Sequence, residues 1–410
     1  MNFLFKFIFY IIFLINSTLC FVPNGLFHNS VIINDRLLII GGTRSTSSYE
    51  LFYLDLSKSF DNTNLPWNSL EGDLPVYGTF SSTAIVSLDN STIFLIEGET
   101  RNSKTEIFGF SNKVYTYDYL NSKWTTASIT GDSIPARYHM TGVIDDSGII
   151  YMFGGENAES YNDMNTLDTS SMTWKNLSII NNLPPLSGSY SASILPNGII
   201  VYFGGRRDYN TLENMKDIKL FDTKKNEWSY MDATGDDVDS RYRFSSVLTP
   251  DGYIIIFGGS KTNGGINVSP RLAILDTNKS PYEWSIPSSS KVNSPPSIYG
   301  HTANLYNNYM IITFGQDEDN NVYNSIIYLY DITNNTWVTR FDPAPAPSSS
   351  PSSPSSSSSS STSSPKFLKP LLIGLGTGIG AVVLICIAIF IFRKKVESPV
   401  LRIAGSAEMR

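Results

Sequence analysis

Residues 151–174 read YMFGGENAESYNDMNTLDTSSMTW. An apolar run ends on two glycines, a polar stretch follows, and Asp168 stands six residues before Trp174. The same order recurs along the chain. Its six tryptophans are Trp67, Trp124, Trp174, Trp228, Trp284 and Trp337. Each follows an apolar run, ending as IIGG at Gly42, LIEG at Gly98, MFGG at Gly155, YFGG at Gly205, IFGG at Gly259 and TFGQ at Gln316. These endings lie 50 to 57 residues apart. Asp118, Asp168, Asp222 and Asp331 precede their tryptophans by six residues, and Asp55 and Asp276 take that place in two longer versions.

Before each apolar run stands a pair suited to a two-residue turn: Asn34-Asp35, Asp89-Asn90, Ser147-Gly148, Asn197-Gly198, Asp251-Gly252 and Asn307-Asn308. Asn, Asp and Gly tolerate the positive φ that such turns require. The unit therefore reads as strand, tight turn, apolar strand, glycine pair, loop, strand, Asp-containing turn, and a short strand at Trp. Runs such as IIYMF, IIVYF and YIIIF have no polar face, so both faces of their sheet must be covered. The pairs Gly41-Gly42, Gly154-Gly155, Gly204-Gly205 and Gly258-Gly259 permit a sharp exit where a side chain would clash. The Trp is expected to plug the gap against the next sheet. Small sheets covered on both faces and repeated in tandem form a β-propeller, here all-β and six-bladed.

The repeat resembles the kelch-repeat family, whose hallmark is this Gly-Gly, aspartate or tyrosine, and Trp spacing. The resemblance covers about residues 26–341. Glu97 departs from it in the second unit and Gln316 in the sixth. The same propeller occurs in galactose oxidase-like copper enzymes, and that resemblance would imply a copper held by two Tyr and two His, one Tyr cross-linked to Cys. Both cysteines of this chain, Cys20 and Cys386, lie in its end segments. Its three histidines, His28, His139 and His301, fall at one repeating place in units one, three and six, which marks them as parts of the fold. No nucleophile elbow or phosphate loop appears. The expectation is a non-catalytic protein without cofactor or metal. A galactose oxidase-like or other surface-anchored carbohydrate-active enzyme, or a structural cell-surface component, is the alternative.

Kelch proteins bind through the loops after Gly-Gly and those joining blades. Here these carry Arg44, Arg101, Lys104, Arg206, Arg207 and Lys261, with Arg137 and Arg241 at blade junctions. Glu156, Glu159, Asp163, Asp317, Glu318 and Asp319 make units three and six acidic, so a charge-divided mouth is expected. Arg44, Arg101, Arg137, Arg206, Arg207 and Arg241 are the candidate ligand-binding residues, gripping an acidic peptide or glycan through planar bidentate contacts. Removing Arg206 and Arg207 is then expected to abolish binding without altering thermal stability.

The chain ends place this propeller. Residues 1–20 combine Lys6, the apolar run Phe7 to Leu14 and small residues near Cys20, a secretory signal. Leu371 to Phe392 is 22 residues without a charge, followed by Arg393-Lys394-Lys395. At about 1.5 Å per residue that run spans a bilayer, and the basic stop sets a type I orientation. The expected domains are the signal at 1–20, an extracellular propeller at 21–342, a disordered Ser/Pro stalk at 343–369, one transmembrane helix at 370–392 and a cytoplasmic tail at 393–410. Asn90, Asn176, Asn267, Asn278 and Asn334 stand in N-glycosylation triplets. Gly374, Gly376, Gly378 and Gly380 have the small-residue spacing of a helix homodimer. Residues 21–365 carry 22 Lys/Arg against 35 Asp/Glu, which argues against nucleic acid. The expected role is recognition of an extracellular protein or glycan at the plasma membrane.

Overall fold

Each apolar run becomes the second strand of an antiparallel meander. A computed structural model describes residues 25–42, 51–70, 77–96, 98–101, 108–157, 159–208, 210–261, 267–288 and 292–343. The signal, stalk, membrane and tail segments lie outside them, with Arg44, Lys104, Glu97 and Gly374, Gly376, Gly378 and Gly380. Among the described residues no helix is long and apolar enough to cross a membrane. Those residues are all-β, arranged as a β-propeller.

The first meander runs Asn29–Ile33, Arg36–Ile40, Phe52–Asp55 and Asn68–Ser69, and the second Thr83–Val86, Thr92–Ile96, Val114–Asp118 and Lys123–Thr126. The third is Gly142–Ile144, Ile149–Phe153, Met164–Asp168 and Thr173–Asn176, and the fourth Ser191–Ile194, Ile199–Phe203, Asp217–Asp222 and Glu227–Asp232. The fifth is Ser245–Leu248, Tyr253–Phe257, Leu272–Asp276 and Glu283–Ser285, and the sixth Thr302–Tyr306, Tyr309–Thr313, Ile327–Asp331 and Thr336–Val338. In all of them the second strand is half-buried at its first residue and buried thereafter, as its apolar composition requires. The turn before it holds one residue at positive φ: Asn34, Asn90, Gly148, Gly198, Gly252 or Asn307.

The repeating aspartates have a common task. Asp55, Asp118, Asp168, Asp222, Asp276 and Asp331 each accept the backbone N–H two residues on, at 2.8–3.0 Å. The side chain thereby shapes the turn between third and fourth strands. Beyond the turn each Trp packs onto the preceding meander rather than the following one. Trp228 meets Phe153, Trp284 meets Phe203 and Trp337 meets Phe257; Trp67, in the first meander, meets Phe314 of the last. The expected direction is thus reversed. Meanders three and five gain a fifth strand that the repeat did not disclose. Thr130–Gly131 and Thr234–Gly235 pair parallel to the outermost strand, one meander's junction bracing its own edge.

An apolar cluster fills every gap between consecutive meanders, including the gap from the sixth back to the first. The innermost strands likewise neighbour one another in sequence, and Thr302–Tyr306 returns to Asn29–Ile33. Among the described residues no meander takes a strand from the far end of the chain. Closure instead uses Arg340–Phe341 paired to Phe60–Asp61, with the Phe60 and Phe341 rings stacked at 4.8 Å. Gly25 adds a carbonyl that accepts the Gly315 N–H at 2.8 Å.

Candidate functional site at the channel mouth

Where each innermost strand begins, one residue adopts positive φ: Phe27, Ser81, His139, Ser189, Arg243 and Gly300. Their amides form a cycle. Ser81 N–H donates to the Phe27 carbonyl, His139 to Ser81, Ser189 to His139, Arg243 to Ser189, Gly300 to Arg243, and Phe27 to Gly300, at 2.8–3.3 Å. This ring draws the meanders together and defines the mouth of the central channel. The following residue of each unit, such as His28, Met140 or His301, sits under the second glycine. A Cβ on Gly42, Gly155, Gly205, Gly259 or Gly315 would lie 2.4–2.8 Å from an atom of that innermost segment. All five glycines have φ between +84° and +94°. In the sixth unit Gly315 therefore takes the second-glycine place and Phe314, φ +56°, the first; Gln316 lies one residue beyond its expected position.

The histidines also shift. His28 and His301 are equivalent, but His139 is one residue earlier, in the ring itself. His28 Nε2 meets the Thr313 and Thr302 hydroxyls at 2.8 and 2.9 Å. His139 Nδ1 lies 2.6 Å from Glu156, so it carries the proton donated to that carboxylate. Burial pushes His139 down to about 4 against the pull of Glu156. Burial alone would raise Glu156, yet the hydrogen bonds from His139 and Arg206 hold it at about 2. With His28 and His139 hydrogen-bonded in this way and no cysteine among them, the described residues do not fit the copper ligand set of the oxidase resemblance. Among them no group of three or more His, Cys, Asp or Glu is placed to hold a metal.

Burial holds His301 at about 3, against 6.5 for a free histidine. Between those values the unfolded chain binds a proton that the folded chain refuses. The contribution is fully present above about pH 6.5 and is lost as pH falls towards 3. His301→Gln should flatten the acid side of the stability profile by up to about 1.4 kcal/mol per pH unit, read by denaturant unfolding between pH 7 and 4. An unchanged slope would contradict a buried neutral His301.

The arginines are placed differently from expectation. Arg137 and Arg241 have no exposed surface and cannot meet a ligand. Arg137 pairs with Asp163 at 2.6 Å, donates to the Gly154 carbonyl at 2.8 Å and lies over the Tyr161 ring. Arg241 donates to the Gly258, Pro270 and Asp239 carbonyls, and burial lowers it to about 10. These two brace the glycine exits. Arg206 is also buried and donates to Glu156 at 2.7 Å across the boundary between the third and fourth meanders. Arg207 is half exposed but grips the buried Glu213, which also takes Lys219 at 3.3 Å. Arg206 and Glu156 thus pair across two units and Arg207 and Glu213 within one, and removing both arginines costs stability because it takes a partner from the half-buried Glu156 and the buried Glu213. Arg101 contributes backbone to a rim strand, and Arg44 is outside the described residues. Four glycosylation triplets expose their asparagine, whereas Asn176 is half-buried and its amide donates to Asp163 and Asn165.

Outside the ring, residues just after the glycines bridge back to those just before it: Glu156 to Tyr138, Arg206 to Gly188, Ser260 to Tyr242 and Gln316 to Tyr299. Three tyrosines stand along this rim, Tyr242 buried and Tyr138 and Tyr299 half-buried, and the half-exposed Phe110 stacks on Tyr138 at 5.1 Å. The ring opens on a cavity of ≈ 140 Å³, continued by a ≈ 270 Å³ channel lined with Ser and Thr hydroxyls. A larger space of ≈ 710 Å³ lies at the hairpin-turn end, between Ile144, Leu195, Leu248 and Pro250. Asp145 there is already bonded to Ser147 and Tyr151, while Asp146 and Lys224 also line the space, which lacks the ring of inter-unit contacts found at the mouth. The mouth is the better site.

Residues 93–366 match the Attractin/LZTR1 beta-propeller family. The chain belongs to that family. Kelch domain-containing protein 3 of Rattus norvegicus is 29% identical over 254 residues, 58% of this chain and 64% of that protein. The kelch reading is thereby shown. Acyl-CoA-binding domain-containing protein 5 of Arabidopsis thaliana is 22% identical over 280 residues, covering 67% of this chain and 41% of that one. The chain thus spans 64% or less of these two curated relatives. The solved structure of YjhT shares the fold, with a TM-score of 0.59, 13% identity, and 77% and 97% of the two chains covered.

Proposed function

We propose that this family member is a single-pass type I cell-surface protein whose six-bladed propeller stands outside the plasma membrane on the Ser/Pro stalk. It holds an extracellular protein or glycan at the channel mouth and does not alter it. The observation that carries this is the mouth itself: a hydrogen-bonded ring, an aromatic rim and an open cavity, with the His139 and Glu156 that would do acid–base work bonded to each other. The acidic exterior composition turns it from nucleic acid.

Full-length chain in fluorescent lipid nanodiscs, applied to intact cells, should bind saturably at or below micromolar concentration. An antibody to the propeller should also reach it on unpermeabilised cells expressing the chain. Linear, unsaturable uptake at micromolar concentration would defeat recognition, and staining only after permeabilisation would defeat the topology.

A further inference from the structure

The five Asn-x-Ser/Thr triplets of the propeller are alike in sequence but not in the structure. An N-linked glycan replaces one of the two hydrogens on the asparagine Nδ2, so an acceptor needs one uncommitted hydrogen and open space beyond it. Asn176 has neither. It is half-buried, and its amide donates to Asp163 at 3.1 Å and to Asn165 at 3.0 Å, inside the network that holds Arg137. Asn278 is exposed but also commits both hydrogens, to the Asp251 carbonyl at 2.9 Å and to Asp276 at 3.2 Å.

Asn90, Asn267 and Asn334 are exposed, and each amide donates one bond among the described residues, to Asn34, Asp319 and Asp331 respectively. The triplet of Asn267 sets it apart from the other two. Its Ser269 is followed by Pro270, which confines the serine to extended backbone where a transferase must bend the chain. Ser280-Pro281 imposes the same stiffness on the triplet of Asn278. Asn90 and Asn334 have triplets that close on Thr92 and Thr336, followed by Ile93 and Trp337.

Asn90 lies in the hairpin turn of unit two and Asn334 in the Asp turn of unit six. In an antiparallel meander these two kinds of turn share the end away from the mouth. They touch here, Tyr119 N–H donating to the Ser91 carbonyl at 3.0 Å and Ile332 N–H to Asn308 at 2.9 Å. Units two and six flank unit one, to whose turn they are bonded by Asn90 on Asn34 and Tyr306 on Asp35.

From this we infer that Asn90 and Asn334 carry N-glycans, one on either side of the first unit at the turn end. Asn176, Asn267 and Asn278 stay bare, which leaves the mouth end free of N-linked carbohydrate. The donor is a lipid pyrophosphate-linked oligosaccharide. A bond forms from Nδ2 to its anomeric carbon, the bond from that carbon to the pyrophosphate oxygen breaks, an amide proton is lost to solvent, and lipid pyrophosphate departs.

The inference rests on the type I topology proposed above but is tested apart from it. Full-length chain is expressed in cells with a secretory pathway and recovered from their surface with cell-impermeant biotin. Peptide N-glycosidase in heavy-oxygen water then turns each glycosylated asparagine into a labelled aspartate, read by peptide mass spectrometry. Label is expected at Asn90 and Asn334 only. Thr92→Val and Thr336→Val, which spare the asparagine turns and suit their strands, should each remove one step of gel mobility, and together all sensitivity to the enzyme. Label at Asn176, Asn267 or Asn278, or a missing label at Asn90 or Asn334 in biotinylated chain, would overturn the inference and leave the topology standing. A chain that biotin reaches only after permeabilisation would overturn the topology and the glycans with it.

Discussion

Trp284→Ala is expected to lower the unfolding free energy by about 3–5 kcal/mol, the range for a large side chain removed from a close-packed site. Trp284 is 1% exposed, lies edge-on to Phe203 at 5.5 Å, and donates its indole N–H to the Met215 carbonyl at 2.9 Å. Truncation opens the gap between meanders four and five and orphans that carbonyl. Trp124 supplies the internal comparison. It occupies the same place in its repeat but is half-buried and has no partner for its indole nitrogen among the described residues. Trp124→Ala should therefore cost less than half as much. Denaturant midpoints followed by circular dichroism check both, and equal losses would contradict the packing account.

Gly205→Ala should be nearly as damaging, at about 2–5 kcal/mol, combining left-handed backbone strain with overpacking. Gly205 has φ +84°, and its Cβ would stand 2.6 Å from the Gly188 carbonyl oxygen and 2.8 Å from the Tyr190 nitrogen. Both obstacles are backbone of the innermost segment and cannot rotate away. Gly198 has a similar φ of +88°, but its Cβ would meet only the Thr223 hydroxyl at 3.0 Å and the Lys224 stem. Gly198→Asn should consequently cost no more than about 1 kcal/mol, since Asn already occupies the corresponding turn at Asn34, Asn90 and Asn307. A Gly205→Ala variant as stable as Gly198→Asn would show that the glycine exit is not a steric requirement.

The two comparisons mark what the sequence discloses. Second strands, Asp turns and tryptophans are legible because each depends on a residue type, and the type recurs. The mouth ring was not legible. Its members are Phe, Ser, His, Ser, Arg and Gly, since the ring is made by backbone φ and amides that any residue supplies. The offset of His139 from His28 and His301 arises there too, because unit lengths between ring and glycines differ by a residue or two. Arg137 and Arg241 were read as ligand-facing because an arginine in a junction loop reads as solvated. Their repetition at one place before a tyrosine was the available signal that they belong to the fold. Arg243 stood in the same phrase, yet its place in the ring is a fact of three dimensions.

Recognition at the mouth requires a ring that is closed and rigid, with residues from both ends of the propeller sequence held in it. Amide hydrogen exchange of Phe27, Ser81, His139, Ser189, Arg243 and Gly300 in the full-length chain measures this directly. The account predicts slow, similar exchange at all six, including the Phe27 N–H that joins the first unit to Gly300 of the last. Fast exchange at Phe27 and Ser81 beside protected His139 and Ser189 would contradict it, for the ring would then be open where the chain begins and ends.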